Sequence, residues 1–153
     1  MKVRSLVCLL LAASSISSAK VRKPAAKTDM EKKIMTAPVE EWKGQQGGPL
    51  EPGHQLVTDL KGWKALAARL GLHANAPDFS KSIVVAVFVG ERPPRGFSAA
   101  FEKPAAEGDD LLVRYRIKKP APTSFVTQAF AQPWKARTFP RPKGKVIVEL
   151  LPQ

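Results

Sequence analysis

Few residues of this chain have side chains suited to covalent catalysis. Two histidines, His54 and His73, are the only imidazole bases. The hydroxyl groups considered as nucleophiles are those of Ser80, Ser98 and Thr127. A nucleophile needs a base within hydrogen-bond reach, and none of these hydroxyls lies in a Gly-x-Ser-x-Gly elbow. The sequence therefore predicts no catalytic residue, and a small hydrolase with an unrecognised site remains only an alternative.

Metal and phosphate ligands are equally sparse. Two isolated histidines do not make a zinc site, which requires clustered ligands. The carboxylates of 107–110, Glu-Gly-Asp-Asp, lack the twelve-residue alternation of a calcium loop and are typical of a hairpin turn. The glycines of 44–48 are not followed by the Lys and Ser/Thr of a phosphate loop. We expect no metal and no cofactor.

The N-terminus has the pattern of a secretory signal. Lys2 and Arg4 precede an apolar segment that runs through Ala13, and small residues follow. We expect cleavage after Ala19, so 1–19 is the signal peptide and the protein is periplasmic or secreted. The single cysteine, Cys8, lies within the signal, which leaves the mature chain without disulfides. We expect residues 20–36 to be a flexible basic lead and residues 37–151 to form one domain. A short helix near 29–35 is an alternative within the lead.

The chain is basic, with a formal net charge of +12. Nine lysines and arginines lie between Leu111 and Glu149, and Glu149 is the single acid there. This patch could bind a polyanion or a cell surface, although a solvated basic surface is the simpler interpretation. Export disfavours nucleic acid as the natural partner.

The centre of the chain alternates between buried-strand and turn patterns. The apolar run Ile83–Val89 is rich in β-branched residues, and it predicts a strand buried on both faces. A turn at Gly90–Gly96 and an alternating run at Phe97–Phe101 follow. We expect these two runs to form an antiparallel pair.

The other elements predict a small α+β domain. Trp63, Leu66, Ala67 and Leu70 share one face of a helix over Leu60–Leu70, with an N-cap at Thr58 or Asp59 and a stop at Gly71. Further strands are expected at Pro38–Lys43, His54–Val57 (an edge), Leu111–Lys118, Trp134–Phe139 and Val146–Leu151. The segment 125–132 is compatible with a strand or with a helical turn that buries Phe130. The predicted fold is an antiparallel sheet of about six strands with one helix on a face; a partly closed barrel is the alternative.

Two motifs carry a resemblance to a known family. They are Gly-x-Arg-Pro-x-x-Gly-Phe at 90–97 and Val-Thr-Gln-Ala-Phe-x-x-Pro-Trp at 126–134, preceded by Trp63 and by Asp78-Phe79-Ser80. In this order they resemble the C-terminal domain of the PrcB family of exported bacterial proteins, over roughly Leu56–Leu150. That family is named for a subunit of a subtilisin-like surface protease complex. The resemblance therefore implies a non-catalytic accessory module whose partner is an exported protein, such as a protease of that kind.

The motif residues fall into two predicted roles. Gly90, Gly96, Thr127, Gln128 and Pro133 are expected to be structural, because turns require such residues for geometric reasons. The candidate partner-binding residues are Arg92, Pro93, Pro94 and Arg95 in the turn, followed by Trp134, Lys135 and Arg137. Pairing at an open sheet edge is a further expected mode of binding.

Overall fold

The computed structural model describes residues 29–92, 96–121 and 129–152. Within these ranges the chain forms two helices and eight strands. In chain order they are α1 (Asp29–Thr36), β1 (Glu41–Gly44), β2 (Gly53–Val57), α2 (Leu60–Leu70), β3 (Ser82–Phe88), β4 (Ser98–Phe101), β5 (Ala105–Glu107), β6 (Asp110–Lys118), β7 (Trp134–Pro140) and β8 (Val146–Leu150).

The helix α2 has the bounds and caps that its sequence predicts. The Asp59 side chain accepts a hydrogen bond from the Gly62 amide at 2.6 Å, which satisfies a free donor of the first turn. Gly71 is left-handed, and the Leu72 amide donates back to the Ala67 carbonyl at 2.8 Å. The helix therefore begins and ends at residues whose side chains and backbone favour those positions.

The first sheet has the strand order β1-β7-β3-β2 and is antiparallel throughout. Every residue of β3 is buried. Val84, Ala86 and Phe88 join α2 in one core, while Ile83, Val85 and Val87 join the core on the opposite face. The predicted strand with two buried faces is confirmed, and β2 is the expected edge strand.

The second sheet is built around β6. β4 and β5 pair with β6 in antiparallel fashion along one edge, and β8 pairs in parallel along the other. The inward side chains Leu111, Val113, Tyr115 and Ile117 face the first sheet, as their alternation predicts. The ring centroids of Phe101 and Phe139 lie 5.3 Å apart, edge to face, between the two sheets.

The molecule thus has three layers: α2, the first sheet and the second sheet. Helix α1 adds Met30 and Ile34 to the core between the sheets. The short helix that was the alternative for 29–35 is formed, over Asp29–Thr36. An eight-residue helix is marginal alone, so this packing is what stabilises it.

One expected pairing is wrong. Ile83–Val89 and Phe97–Phe101 do not pair with each other, because β2 and β7 occupy both edges of β3 and β4 pairs with β6 instead. The connection through 90–97 is long enough to cross between sheets. The α+β class with a mostly antiparallel arrangement is confirmed, whereas the barrel alternative is not: the described strands form two separate sheets.

Two smaller differences concern single strands. β1 begins three residues later than predicted, at Glu41. The alternation of 111–118 predicts that Leu112 shares the solvent-facing side of β6 with Arg114 and Arg116, but Leu112 is 3 % exposed. It lies beside Ala105 and Ile147 of the flanking strands. Neither α1 nor α2 is long and apolar enough to span a bilayer.

Tyr115 offers a direct test of this core. Burial raises the pKa of its phenol above the ordinary value of 10.0. It is the single tyrosine of the chain, so absorbance at 295 nm during an alkaline titration reports it alone. We expect the midpoint of its ionisation to lie above pH 10.

The same titration has a consequence for stability. A pKa raised in the folded state means that the neutral phenol contributes fully below pH 10, and that stability is lost as pH rises through the folded-state pKa. The Tyr115→Phe variant should lack this alkaline loss. A tyrosine that titrates at its ordinary pKa would contradict the packing of the two sheets.

Candidate interaction surface

The two family motifs meet at one end of the first sheet. Arg92 and Ala131 form an antiparallel bridge, with N–O distances of 2.9 and 3.1 Å. The Val89 amide donates to the Pro133 carbonyl at 2.9 Å. The Gln132 side-chain amide donates to Glu91 at 3.2 Å. Segments about forty residues apart in sequence therefore form one hydrogen-bonded unit.

The connection between β1 and β2 is hydrogen-bonded to this unit. The Trp134 indole N–H donates to the Gln46 carbonyl at 2.7 Å, and the Gln132 amide donates to the Gln45 carbonyl at 3.0 Å. The Glu91 amide donates to the Leu50 carbonyl at 2.8 Å. We call residues 45–50, 90–92, 96–97 and 129–133 together the motif surface.

The motif surface exposes apolar and cationic side chains on this braced backbone. Phe130 is 63 % exposed and Leu50 is 65 % exposed. Arg92 is also exposed, and its guanidinium carbon lies 5.8 Å from the centroid of the Phe97 ring. Aromatic and arginine side chains are enriched at protein interfaces, and exposed Phe130 and Arg92 are of these types.

The structure gives the predicted partner-binding residues different positions. Arg92 is exposed on the motif surface, whereas Trp134 is 4 % exposed and packs in the α2 core. Trp134 is therefore a structural residue, because its ring is buried and its N–H is already satisfied by Gln46. Pro93, Pro94 and Arg95 lie outside the described residues.

Lys135 and Arg137 lie on the face of β7 that is turned toward the second sheet, as Phe139 does. Lys135 is ion-paired to Glu41 at 2.8 Å. The Arg137 guanidinium carbon lies 5.3 Å from the Phe139 ring centroid, and its buried Nε has no hydrogen-bond partner among the described residues. The two cations contribute to the inner face of the sheet rather than to the motif surface.

Two of the five predicted structural residues, Gly90 and Gly96, lie in turns that have positive φ. Gly90 and Gly96 have φ values of 80° and 112°, which are favoured for glycine. Pro133 is buried. Thr127 and Gln128 lie outside the described residues. The sequence did not indicate Leu50 as a surface residue, and the helical-turn alternative for 125–132 predicted that Phe130 is buried. No local periodicity marks a side chain that is exposed at the end of a sheet.

The nine basic residues between Leu111 and Glu149 do not form one patch. Arg114, Arg116 and Lys118 are on the outer side of β6, Lys135 and Arg137 are on β7, and Arg141, Lys143 and Lys145 are in the next connection, with Lys119 after β6. Four of the nine have a carboxylate of the described residues within 4 Å, namely Arg114, Arg116, Lys135 and Lys143. This distribution favours a solvated basic surface over a polyanion site.

His54 and Ser80, two of the residues considered for catalysis, are not brought together, and Thr127 lies outside the described residues. His54 pairs with Val87 near the end of β3, whereas Ser80 precedes its start, so roughly 15 Å of strand separates them. The Ser80 hydroxyl donates to Asp78 at 2.6 Å. This bond, with the Ser80 amide, holds the pKa of the Asp78 carboxyl below its ordinary value. The described part of the chain has no group of three or more potential metal ligands.

Gly90 begins the first motif and lies against residues 50–52, so its replacement tests this close contact. A Cβ at Gly90 would lie 2.8 Å from the Pro52 nitrogen and 3.0 Å from the Leu50 carbonyl oxygen. The matched control is Gly108, which also has a positive φ, but a Cβ added there would meet no described atom within 4 Å.

Both alanine variants should be destabilised, but by different amounts. Gly108→Ala bears only the conformational cost, about 1–2 kcal/mol. Gly90→Ala bears that cost and the steric overlap, which adds roughly 1–3 kcal/mol. Urea unfolding measures both, and equal losses would contradict the close approach of 50–52 to Gly90.

The comparisons with known proteins agree with this arrangement of motifs. Residues 83–140 match the family model described as PrcB C-terminal. The match runs from the second residue of β3 to the last residue of β7, a shorter span than the sequence suggested. No significant match was found among curated proteins or among solved structures. The resemblance is confirmed for this segment: residues 83–140 are similar to the C-terminal domain of the PrcB family.

Proposed function

We propose that this protein is an exported, non-catalytic interaction module that serves as an accessory subunit of an extracytoplasmic protease complex. The family match supports an accessory role in such a complex. The signal-like pattern of residues 1–19 supports export. The partner proposed is an exported protein, with a subtilisin-like protease as the specific candidate.

The observation that carries the proposal is the motif surface. The family segment contributes Phe130 and Arg92 to it, and the β1–β2 connection contributes Leu50. Aromatic and arginine side chains dominate binding energy at protein interfaces when a partner excludes water from them. In the free protein Phe130 and Leu50 expose more than half of their surface, so their burial by a partner would be favourable.

The backbone beneath these side chains lowers the cost of binding. Association is opposed by the ordering of loops and side chains. Here the bridge between Arg92 and Ala131 and the bond from Glu91 to Leu50 already fix the three contributing segments. A partner therefore meets an ordered surface, and less of the interaction free energy is lost in ordering it.

Site-specific crosslinking tests the proposal in the intact protein. A photoreactive phenylalanine analogue at position 130 should crosslink to an exported protease subunit in envelope fractions, identified by mass spectrometry. The matched control is the same analogue at position 150, where Leu150 is 53 % exposed on β8 and is not part of the motif surface. Equal crosslinking from both positions, or products that contain no protease subunit, would contradict the proposal.

Substitutions give the energetic counterpart. Phe130→Ser should weaken binding to the crosslinked partner by about 30-fold, since truncation of a central interface residue costs ~2 kcal/mol or more. Its effect on unfolding should remain within about 0.5 kcal/mol, because the side chain is exposed. Leu150→Ser is the control and should alter neither quantity. Isothermal titration calorimetry measures the affinity, and an unchanged affinity in Phe130→Ser would be the opposing result.

A further inference from the structure

A second concave site lies at the opposite end of the first sheet. It is a cleft of about 660 Å³ between the end of α1, the 77–82 turn and the 140–143 connection. Ser82 of β3 and Pro140 of β7, which are paired, lie at this end, whereas the paired residues Phe88 and Trp134 lie at the end that adjoins the motif surface. Seven paired residues separate the two sites by roughly 20 Å.

The volume and walls of the cleft suit a small organic ligand. Ligand sites typically measure about 300–1,000 Å³ and combine apolar walls with a few polar groups. Four prolines form much of the lining: Pro38, Pro77, Pro140 and Pro142. The buried Thr138 hydroxyl accepts from the Glu40 amide at 2.8 Å and so fixes one wall to β7.

Four cations from three separate segments line the cleft: Lys33, Lys81, Arg141 and Lys143. Two acids, Glu40 and Asp78, oppose them. Lys81 and Lys143 are ion-paired only loosely, at 3.7 and 3.6 Å, between side chains that are more than half exposed. Such pairs contribute little free energy, so an incoming anion could replace them. Lys33 has no ion pair within the described ranges.

Arg141 is the cation that is held in place. Its Nη1 donates to the Phe79 carbonyl at 2.7 Å and to the Thr58 carbonyl at 3.1 Å, and its amide donates to the Lys81 carbonyl at 2.8 Å. Nε and Nη2 make no hydrogen bond within the described residues. These two atoms form the side-on edge of a guanidinium, which matches the two oxygens of a carboxylate.

We propose that this cleft binds a ligand that carries carboxylates on an apolar body. The Arg141 fork receives one carboxylate, the lysines at the rim attract another, and the prolines contact the apolar part. The carboxylates could belong to a free organic acid or to acidic side chains of a peptide. The cleft shares no residue with the motif surface, so a test of ligand binding in the cleft is separate from a test of the proposed protease association.

Binding of benzene-1,3,5-tricarboxylate to the full chain tests the proposal, with amide chemical shifts of 80–82 and 141–143 as the readout. The variant with Lys33→Gln and Lys81→Gln should bind about tenfold more weakly. The matched control, Lys118→Gln with Lys119→Gln, removes the same charge at the end of β6, away from the cleft, and should bind within about twofold of the parent.

A third variant separates fork geometry from charge. Arg141→Lys keeps the charge but loses the planar fork, so it should also weaken binding; if it fails to fold, the lysine variants still decide the question. Inorganic phosphate at matched ionic strength should bind more weakly than the tricarboxylate. A capped Glu-Phe-Glu peptide distinguishes the sources: tighter binding than the tricarboxylate supports a peptide ligand, and weaker binding supports a free acid. Absence of tricarboxylate binding, equal losses in both lysine variants, or preference for phosphate would overturn the proposal.

Discussion

The burial of β3 between two apolar layers governs the arrangement of every other element. Its alternate side chains contact α2 on one face and the second sheet on the other, and none reaches solvent. Full burial of a valine, isoleucine or phenylalanine contributes roughly 1.5–3 kcal/mol to the free energy of folding. A shift in the register of β3 would move its side chains to the opposite faces and would therefore be costly. Both edges are occupied by β2 and β7, which forces the chain that follows β3 to leave the sheet.

That departure creates the motif surface. The chain turns at Gly90, whose positive φ and close contact with 50–52 no other residue type would accept easily. The chain then continues into β4, which pairs with β6. Ala131, shortly before β7, forms a bridge with Arg92. The family motifs are thus the two crossings at one end of a buried strand pair, β3 and β7. The same pair ends at the basic cleft, which explains how one short domain can present two separate surfaces.

Much of the fold could be predicted because it rests on local patterns. The helix over Leu60–Leu70, with Asp59 and Gly71 at its ends, and the alternation of β6 depend on neighbours in sequence. The family motifs were also readable, and the match to 83–140 agrees with them. The candidate site was predicted only in part: Arg92 is exposed as expected, but Trp134 is buried. An aromatic residue close to two cations in sequence is compatible with a core position as well as with an interface, so the sequence did not distinguish the two.

Residue order alone was enough to establish the helix over Leu60–Leu70 with its ends, the two buried faces of β3 and the family resemblance of the central segment. The folded arrangement was needed to establish which strands pair, that the described strands form two sheets, and that hydrogen bonds join the segments that carry Leu50, Arg92 and Phe130. The reason is that strand pairing and surface assembly join residues far apart in sequence, through hydrogen bonds that any backbone can make. The spacing of apolar residues specifies which face of a strand is buried. Which other strand it pairs with depends on the packing of all the buried faces together.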